Sequence, residues 1–161
     1  MRHRRCERNS HRKAKKKQKR YYSGKKKKHT LKAQILIRRD NRKIVSTHFC
    51  EGKKHDFKLY GESRIALRNE TELETDTGYQ GILAVHENST LPKKKSKKHP
   101  LSREDKRKNR EISRQRIAVE NVLCMLKRFR ILSDRYRNRR RRFGLRFNLI
   151  AGIYNYELCD F

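Results

Sequence analysis

Glu-Thr-Asp-Thr-Gly-Tyr-Gln-Gly at residues 74–81, together with Glu120 farther along, is the part of this chain most suited to chemistry. Acids are scarce, with 17 Asp and Glu against 47 Lys and Arg. Asp76 ends a strand-like run where Gly78 and Gly81 allow the backbone to turn sharply. A carboxylate at a strand end beside such a turn commonly holds a divalent metal, and in a basic chain the group such a metal would act on is a phosphodiester. Asp-Thr-Gly is also good turn sequence, in which Asp simply caps backbone N–H groups. Glu120 likewise has two readings. With a helix rotating about 100° per residue, Ser113, Arg116, Glu120 and Lys127 fall on one stripe, with Ile117, Leu123 and Cys124 at its flanks. The helix then reads as apolar nearly all round, enclosing one acid that needs a cation or metal. The alternative is an exposed pair with Arg116, contributing about 0.3–0.5 kcal/mol.

A net charge of +30 repels itself unless a polyanion neutralises it, which makes DNA or RNA the expected partner. There is no long apolar run and no basic amphipathic helix with bulky anchors, so no membrane association is expected. Met1 leads into Arg and His rather than an apolar stretch, so no signal peptide is read and the expected location is cytoplasmic. Cys6, Cys50, Cys124 and Cys159 are scattered without a Cys-x-x-Cys pair. This spacing argues against zinc and for buried, reduced thiols.

The elements that must position these residues follow from pattern. Residues 1–20 are a dense basic tract without core formers, expected to be a disordered leader ahead of one domain over 21–161. That leader is either a solvated tail or a phosphate-binding arm. Strands are expected over residues 29–37 and 43–50, joined by a turn at Asp40-Asn41, with a weak third strand at 72–76. Asp56 should cap a short helix over 57–67. Lys93–Lys98 forms a basic loop between two prolines. Ser102 and Asp105 open a helix expected to run to Leu132, about 45 Å long. A last amphipathic helix carries Phe143, Phe147, Ile150, Ala151 and Tyr154 on one face. The order is that of an α/β domain.

Four segments, taken in order, carry a wider likeness: Tyr21-Tyr22-Ser23-Gly24-Lys25-Lys26-Lys27-Lys28-His29-Thr30; His55-Asp56-Phe57; Asp76-Thr77-Gly78-Tyr79-Gln80-Gly81; and Arg116-Ile117-Ala118-Val119-Glu120 with Leu126–Leu132. Over about residues 15–158 the chain resembles bacterial insertion-sequence transposases of the DDE superfamily that carry a D-x-G-Y-Q-G motif. The resemblance implies a ribonuclease-H-like mixed sheet with flanking helices. It also implies a site in which three carboxylates hold two Mg²⁺ ions for cutting DNA and transferring strands. By position Asp76 matches the second acid and Glu120 the third, as catalytic residues and metal ligands. Lys127 is either a contact for substrate phosphate or a solvated lysine. Lys25, Lys26, Lys27, Lys28, Lys94, Lys95, Arg139 and Arg140 are the further candidates for DNA phosphates.

The family's first acid belongs on an opening strand upstream of Tyr21, and residues 1–20 hold Glu7 as their only acid. The first strand is therefore expected to be missing or degenerate, and the two-ion site incomplete. A decayed copy, the downstream half of a frameshifted pair, or a misassigned start would each account for this. Whether the chain alone is an enzyme stays open. Its partners would be DNA and either a second copy or a full-length transposase. The competing readings are a non-catalytic, ribosomal-style RNA-binding protein and a regulatory transposase fragment.

Overall fold

A computed structural model describes residues 2–10, 18–96 and 100–159, with residues 2–10 and 18 described by backbone alone. Its centre is strand β3 (Lys28–Arg38), built from the β-rich run Thr30–Ile37 and buried along that whole length. Strand β4 (Ile44–Glu51) returns antiparallel to it. In the connecting turn Arg38 N–H donates to the Lys43 carbonyl at 2.9 Å. Asn41 accepts from the Lys43 amide, and the left-handed residue is Arg42, at φ 57°.

On the other side of β3 lies strand β1 (Arg2–Ser10), antiparallel to it over nine register pairs from Arg2↔Arg38 to Ser10↔Thr30. Residues 2–10 of the expected leader thus form a strand, and of the two alternatives for the first strand, missing or degenerate, it is the degenerate one. The sequence of β1 is degenerate, having no apolar alternation, but ladder hydrogen bonds are made by the backbone and do not depend on it. Residues 11–17 of the leader lie outside the described residues. β1 pairs in turn, and in parallel, with the short strand β5 (Leu73–Glu74), and β5 with β6 (Ser89–Thr90). A two-residue strand β2 (Tyr22–Ser23) pairs with the start of β3. The mixed sheet thus runs β4-β3-β1-β5-β6, and with its helices the fold is the ribonuclease-H-like α/β architecture.

The side-chain alternation of β3 divides the protein into two layers. Leu31, Ala33, Ile35 and Ile37 face one way, into the larger core. That core is closed by helix α2 (Arg103–Lys127) through Val119, Val122, Leu123 and Leu126, and by helix α4 (Phe143–Glu157). The buried set of α4 is Phe143, Phe147, Ile150, Ala151 and Tyr154, the face expected from periodicity. Phe49 of β4 meets Phe143 and Phe147 edge-on at 5.6 and 5.2 Å between ring centroids. On the opposite side of β3, Leu36 joins Tyr60, Leu73, Tyr79 and Ile82 in a smaller cluster beneath helix α1 (Asp56–Glu62).

Ser102 and Asp105 form a reciprocal capping box, starting α2 where the sequence placed it. The helix ends at Lys127 rather than Leu132. Phe129 takes an extended conformation, and the short helix α3 (Arg130–Ser133) follows. Helix α1 also stops early, at Glu62, although Ile65 and Leu67 still pack on the smaller cluster. Cys124 and Cys159 are exposed rather than buried. Cys50 is half-buried, and that burial pushes its thiol up to about 11.

Phe147→Ala should destabilise the domain by about 3–5 kcal/mol in urea unfolding. Leu149→Ala, on the exposed side of the same helix, should change stability by no more than about 0.5 kcal/mol.

Candidate active site

Past β5 the chain makes one more sheet contact, from the Thr75 amide to the Thr90 carbonyl at 2.9 Å, and then leaves the sheet at Asp76. One carboxylate oxygen of Asp76, Oδ1, accepts from the Thr77 amide at 2.6 Å and from the Thr77 hydroxyl at 3.1 Å. This caps a single 3₁₀ turn over Thr77–Tyr79. The turn is pinned from below by Tyr79, fully buried, whose hydroxyl donates to Gln34 Oε1 of β3 at 3.2 Å. Gly81 then reverses the chain at φ 95°, a conformation that β-carbon-bearing residues avoid. Capping occupies Oδ1 alone, so it does not exclude a role for Oδ2.

Oδ2 faces helix α2, where Arg116 Nη2 lies 3.3 Å away. Arg116, Glu120 and Lys127 fall within about 40° of one another around the helix axis. Lys127 lines the same groove as Asp76. Glu120 sits between these two positions, one turn after the arginine that touches Asp76. Glu120 is exposed rather than enclosed by hydrophobes. The reason is that the buried stripe of α2 is only Ile112, Val119, Val122, Leu123 and Leu126, which leaves Ile117 and Met125 in solvent.

The groove has a volume of about 780 Å³ and is predominantly cationic. Lys25 and Lys26 border it from the β2–β3 turn, Lys53 from the end of β4, and Lys94 from the basic loop. Four of the lysines read from the sequence (25, 26, 94 and 127) are thereby brought together around Asp76. Lys27, Lys28, Lys95 and Arg139 are exposed. The Arg140 guanidinium instead stacks on the Tyr21 ring, 3.9 Å from its centroid. Lys97 and Lys98 of the loop lie outside the described residues.

Two groove residues escaped the sequence reading as a pair. Lys32, on the polar side of β3 with its side chain 3% exposed, bonds Asp56 Oδ1 at 2.5 Å and also donates to the Lys54 carbonyl. Asp56 therefore does not cap α1; the N-cap is His55, which makes no side-chain cap bond. The other oxygen of Asp56 packs against Gly78, where a β-carbon would lie only 2.6 Å away. The ion pair thus ties β3 to the turn that carries Asp76. A signal was present in Thr30-Lys32-Gln34, a period-two polar set within an otherwise apolar strand. Beside the pair, the Lys54–Glu62 hydrogen bond raises the lysine above its usual range.

Residues 3–155 match the family described as DDE superfamily endonuclease. The chain belongs to that family. It is 49% identical, over 145 residues, to a Microchaete diplosiphon protein named "Probable transposase for insertion sequence element IS702". That match covers 90% of this chain and 52% of the relative, so the chain spans about half the length of the curated relative it matches. No solved structure matches it significantly. DDE superfamily endonucleases generally use divalent metal ions.

Asp76 and Glu120 offer the carboxylate oxygens that a hard divalent cation prefers, while the Arg116 guanidinium beside Asp76 Oδ2 competes for that oxygen. The set is small, because no group of three or more His, Cys, Asp or Glu is close enough to hold a metal among the described residues.

Removing one member of the buried pair leaves the other charge unmatched. Lys32→Met should cost about 2–4 kcal/mol, and adding Asp56→Leu should restore much of the loss. A double-mutant cycle in urea checks this, and simple additivity of the two losses would rule out the coupling.

Proposed function

We infer that this chain carries part of the catalytic domain of an insertion-sequence transposase and binds DNA across the lysine-lined groove. The observation that carries this reading is the position of Asp76. It lies at the end of β5, within the cationic groove, beside the α2 stripe that bears Glu120 and ends in Lys127.

DNA phosphates would lie along Lys25–Lys28, Lys94, Lys95 and Lys127, with Arg139 extending the track. Arg140, stacked on Tyr21, orders the approach rather than reaching out. Asp76 and Glu120 would hold Mg²⁺, with Lys127 placed for the phosphate beside it. When bound, the metal supplies Lewis-acid stabilisation of the phosphodiester and lowers the pKa of the attacking water or 3′-hydroxyl. The protein's own contribution is positional. The Thr77 contacts fix the Asp76 carboxylate, Gln34 fixes the turn through Tyr79, and the Lys32–Asp56 pair fixes it through Gly78. In β1 the one acid is Glu7, so the family's first ligand has no aspartate in that strand. Two acids alone hold the metal weakly, and cutting by the isolated chain should be slow.

The tests separate metal from DNA. Asp76→Ala and Glu120→Ala should each abolish residual Mg²⁺ or Mn²⁺ binding by calorimetry while leaving duplex affinity within about twofold, since neither acid neutralises phosphate. Unchanged metal titrations in both variants would sink the ligand assignment. Lys25→Ala, Lys26→Ala and Lys127→Ala should each lower the slope of log K against log[salt] by about 0.9 on duplex DNA. Unchanged slopes would place the DNA elsewhere.

A further inference from the structure

The first half of helix α2 touches the body of the protein through few residues. Over 103–114 only Ile112 is buried. Asp105 and Asn109 are half-buried against the basic loop, where Asn109 bonds both the amide and the carbonyl of Lys93. Charge is sorted around this half of the helix. Glu104, Lys108, Glu111 and Gln115 occupy one flank, where opposite signs stand three and four residues apart and neutralise one another. The outward face is different. Arg103, Arg107, Arg110 and Arg114 follow at steps of four, three and four, within about 60° of one another around the axis, with no acid among them. All four are exposed, and none is held in an ion pair among the described residues.

Local helix physics works against such a stripe. Like charges three and four residues apart repel, and cations near a helix N-terminus oppose the macrodipole. Both effects act here, since Arg103 is the first residue of α2. The array becomes favourable only when an external anion lies along it. Its residue type also sets it apart from the groove. The groove is bordered by lysines, whereas the stripe is arginine alone, whose planar fork meets two phosphate oxygens at once.

The stripe extends about 16 Å along the helix axis. A duplex presents one phosphate per strand every ~3.4 Å, so that length faces about five phosphates of a strand. Around α2 the stripe points about 145° away from the centre of the buried residues and about 130° away from Arg116, Glu120 and Lys127. A duplex seated in the groove therefore lies on another side of the helix. With a persistence length of about 150 base pairs, it does not fold around α2 to reach both.

We propose that the arginine stripe of α2 is a second DNA-binding surface, which takes the phosphate backbone of a duplex separate from the one in the groove. The proposal rests on the groove reading for the first duplex and on the stripe alone for the second. Its contacts are to phosphate, so binding there is independent of base sequence.

Titration of the purified full chain with a fluorescent duplex of about 12 base pairs at 0.1 M NaCl, read by sedimentation, counts duplexes per chain. Two are expected. Arg103→Gln, Arg107→Gln, Arg110→Gln and Arg114→Gln together should leave one. Far-UV circular dichroism should not change, because glutamine forms helix about as well as arginine. The site lost should have a slope of log K against log[salt] of about −3.6, at about −0.9 for each arginine. Removing the same charge at Arg42, Lys58, Arg64 and Arg68, exposed residues that line neither surface, should leave two duplexes bound. Lys25→Gln, Lys26→Gln, Lys94→Gln and Lys127→Gln together should leave the stripe duplex alone. A single duplex on the wild type would overturn the proposal and leave the stripe to an acidic protein. Two duplexes on the arginine variant, or an equal loss in the charge control, would also overturn it. One duplex on the arginine variant and two on the lysine variant would uphold the stripe and move the first duplex out of the groove.

Discussion

The structure depends on β3 being buried on both faces. A strand in that position must satisfy two neighbours with one alternating sequence, and β3 does so with chemically different halves. Its apolar half, Leu31, Ala33, Ile35 and Ile37, is a floor for α2 and α4. Its other half is mixed, and the polar members are the ones that reach functional segments. Lys32 holds Asp56, and Gln34 holds Tyr79. The second bond ends on the turn that carries Asp76, at Tyr79; the first ends on Asp56 of α1, whose other carboxylate oxygen packs against Gly78 of that turn. Burying a lysine is costly unless it is paired and hydrogen-bonded, and Lys32 has both a carboxylate and a carbonyl. The site is therefore positioned by the strand that also organises the main core, and the two cannot shift independently.

Charge follows a related division. With so few acids, many are used as fasteners between segments: Asp56 on β3, Asp76 on α2, Asp105 to Lys93, Glu157 to Arg128. The Lys93 hydrogen bond accordingly lowers the Asp105 carboxyl below its usual range. These contacts neutralise cations near the joints of the fold. Lys25, Lys26, Lys53, Lys94 and Lys127 border one open groove, where a polyanion gains the most from their summed field. None of the helices among the described residues is long and apolar enough to cross a membrane.

Much of this was legible beforehand because it rests on local rules. The Ser102–Asp105 box, the apolar face of α4, the β3–β4 hairpin and the Asp76 turn are each set by residues a few positions apart. The elements that escaped are set at long range. β1 has no apolar pattern and is defined by its ladder to β3. Asp56 looked like a cap because it precedes a helix, yet its partner is Lys32, 24 residues earlier. The exposure of Glu120 could not be read from α2 alone, because periodicity shows which residues share a stripe and not how wide a stripe the sheet covers. The end of α2 at Lys127 is similar, since Phe129 turns out of helix to pack against the larger core.

The Arg116–Asp76 contact bears on how the site balances folding against chemistry. The Asp76 carboxylate is oriented by a guanidinium from α2, which joins the turn to the helix. A strong pair would exclude a competing cation. This one has a separation of 3.3 Å, with side chains 20% and 32% exposed, which puts it in the range of at most about 1 kcal/mol, or roughly fivefold in competition. Under the proposed assignment a divalent cation on Asp76 would have to displace this contact, which is weak enough to yield. The weakness of the pair is thus compatible with the metal role proposed for Asp76, because Arg116 joins α2 to the turn without closing it off.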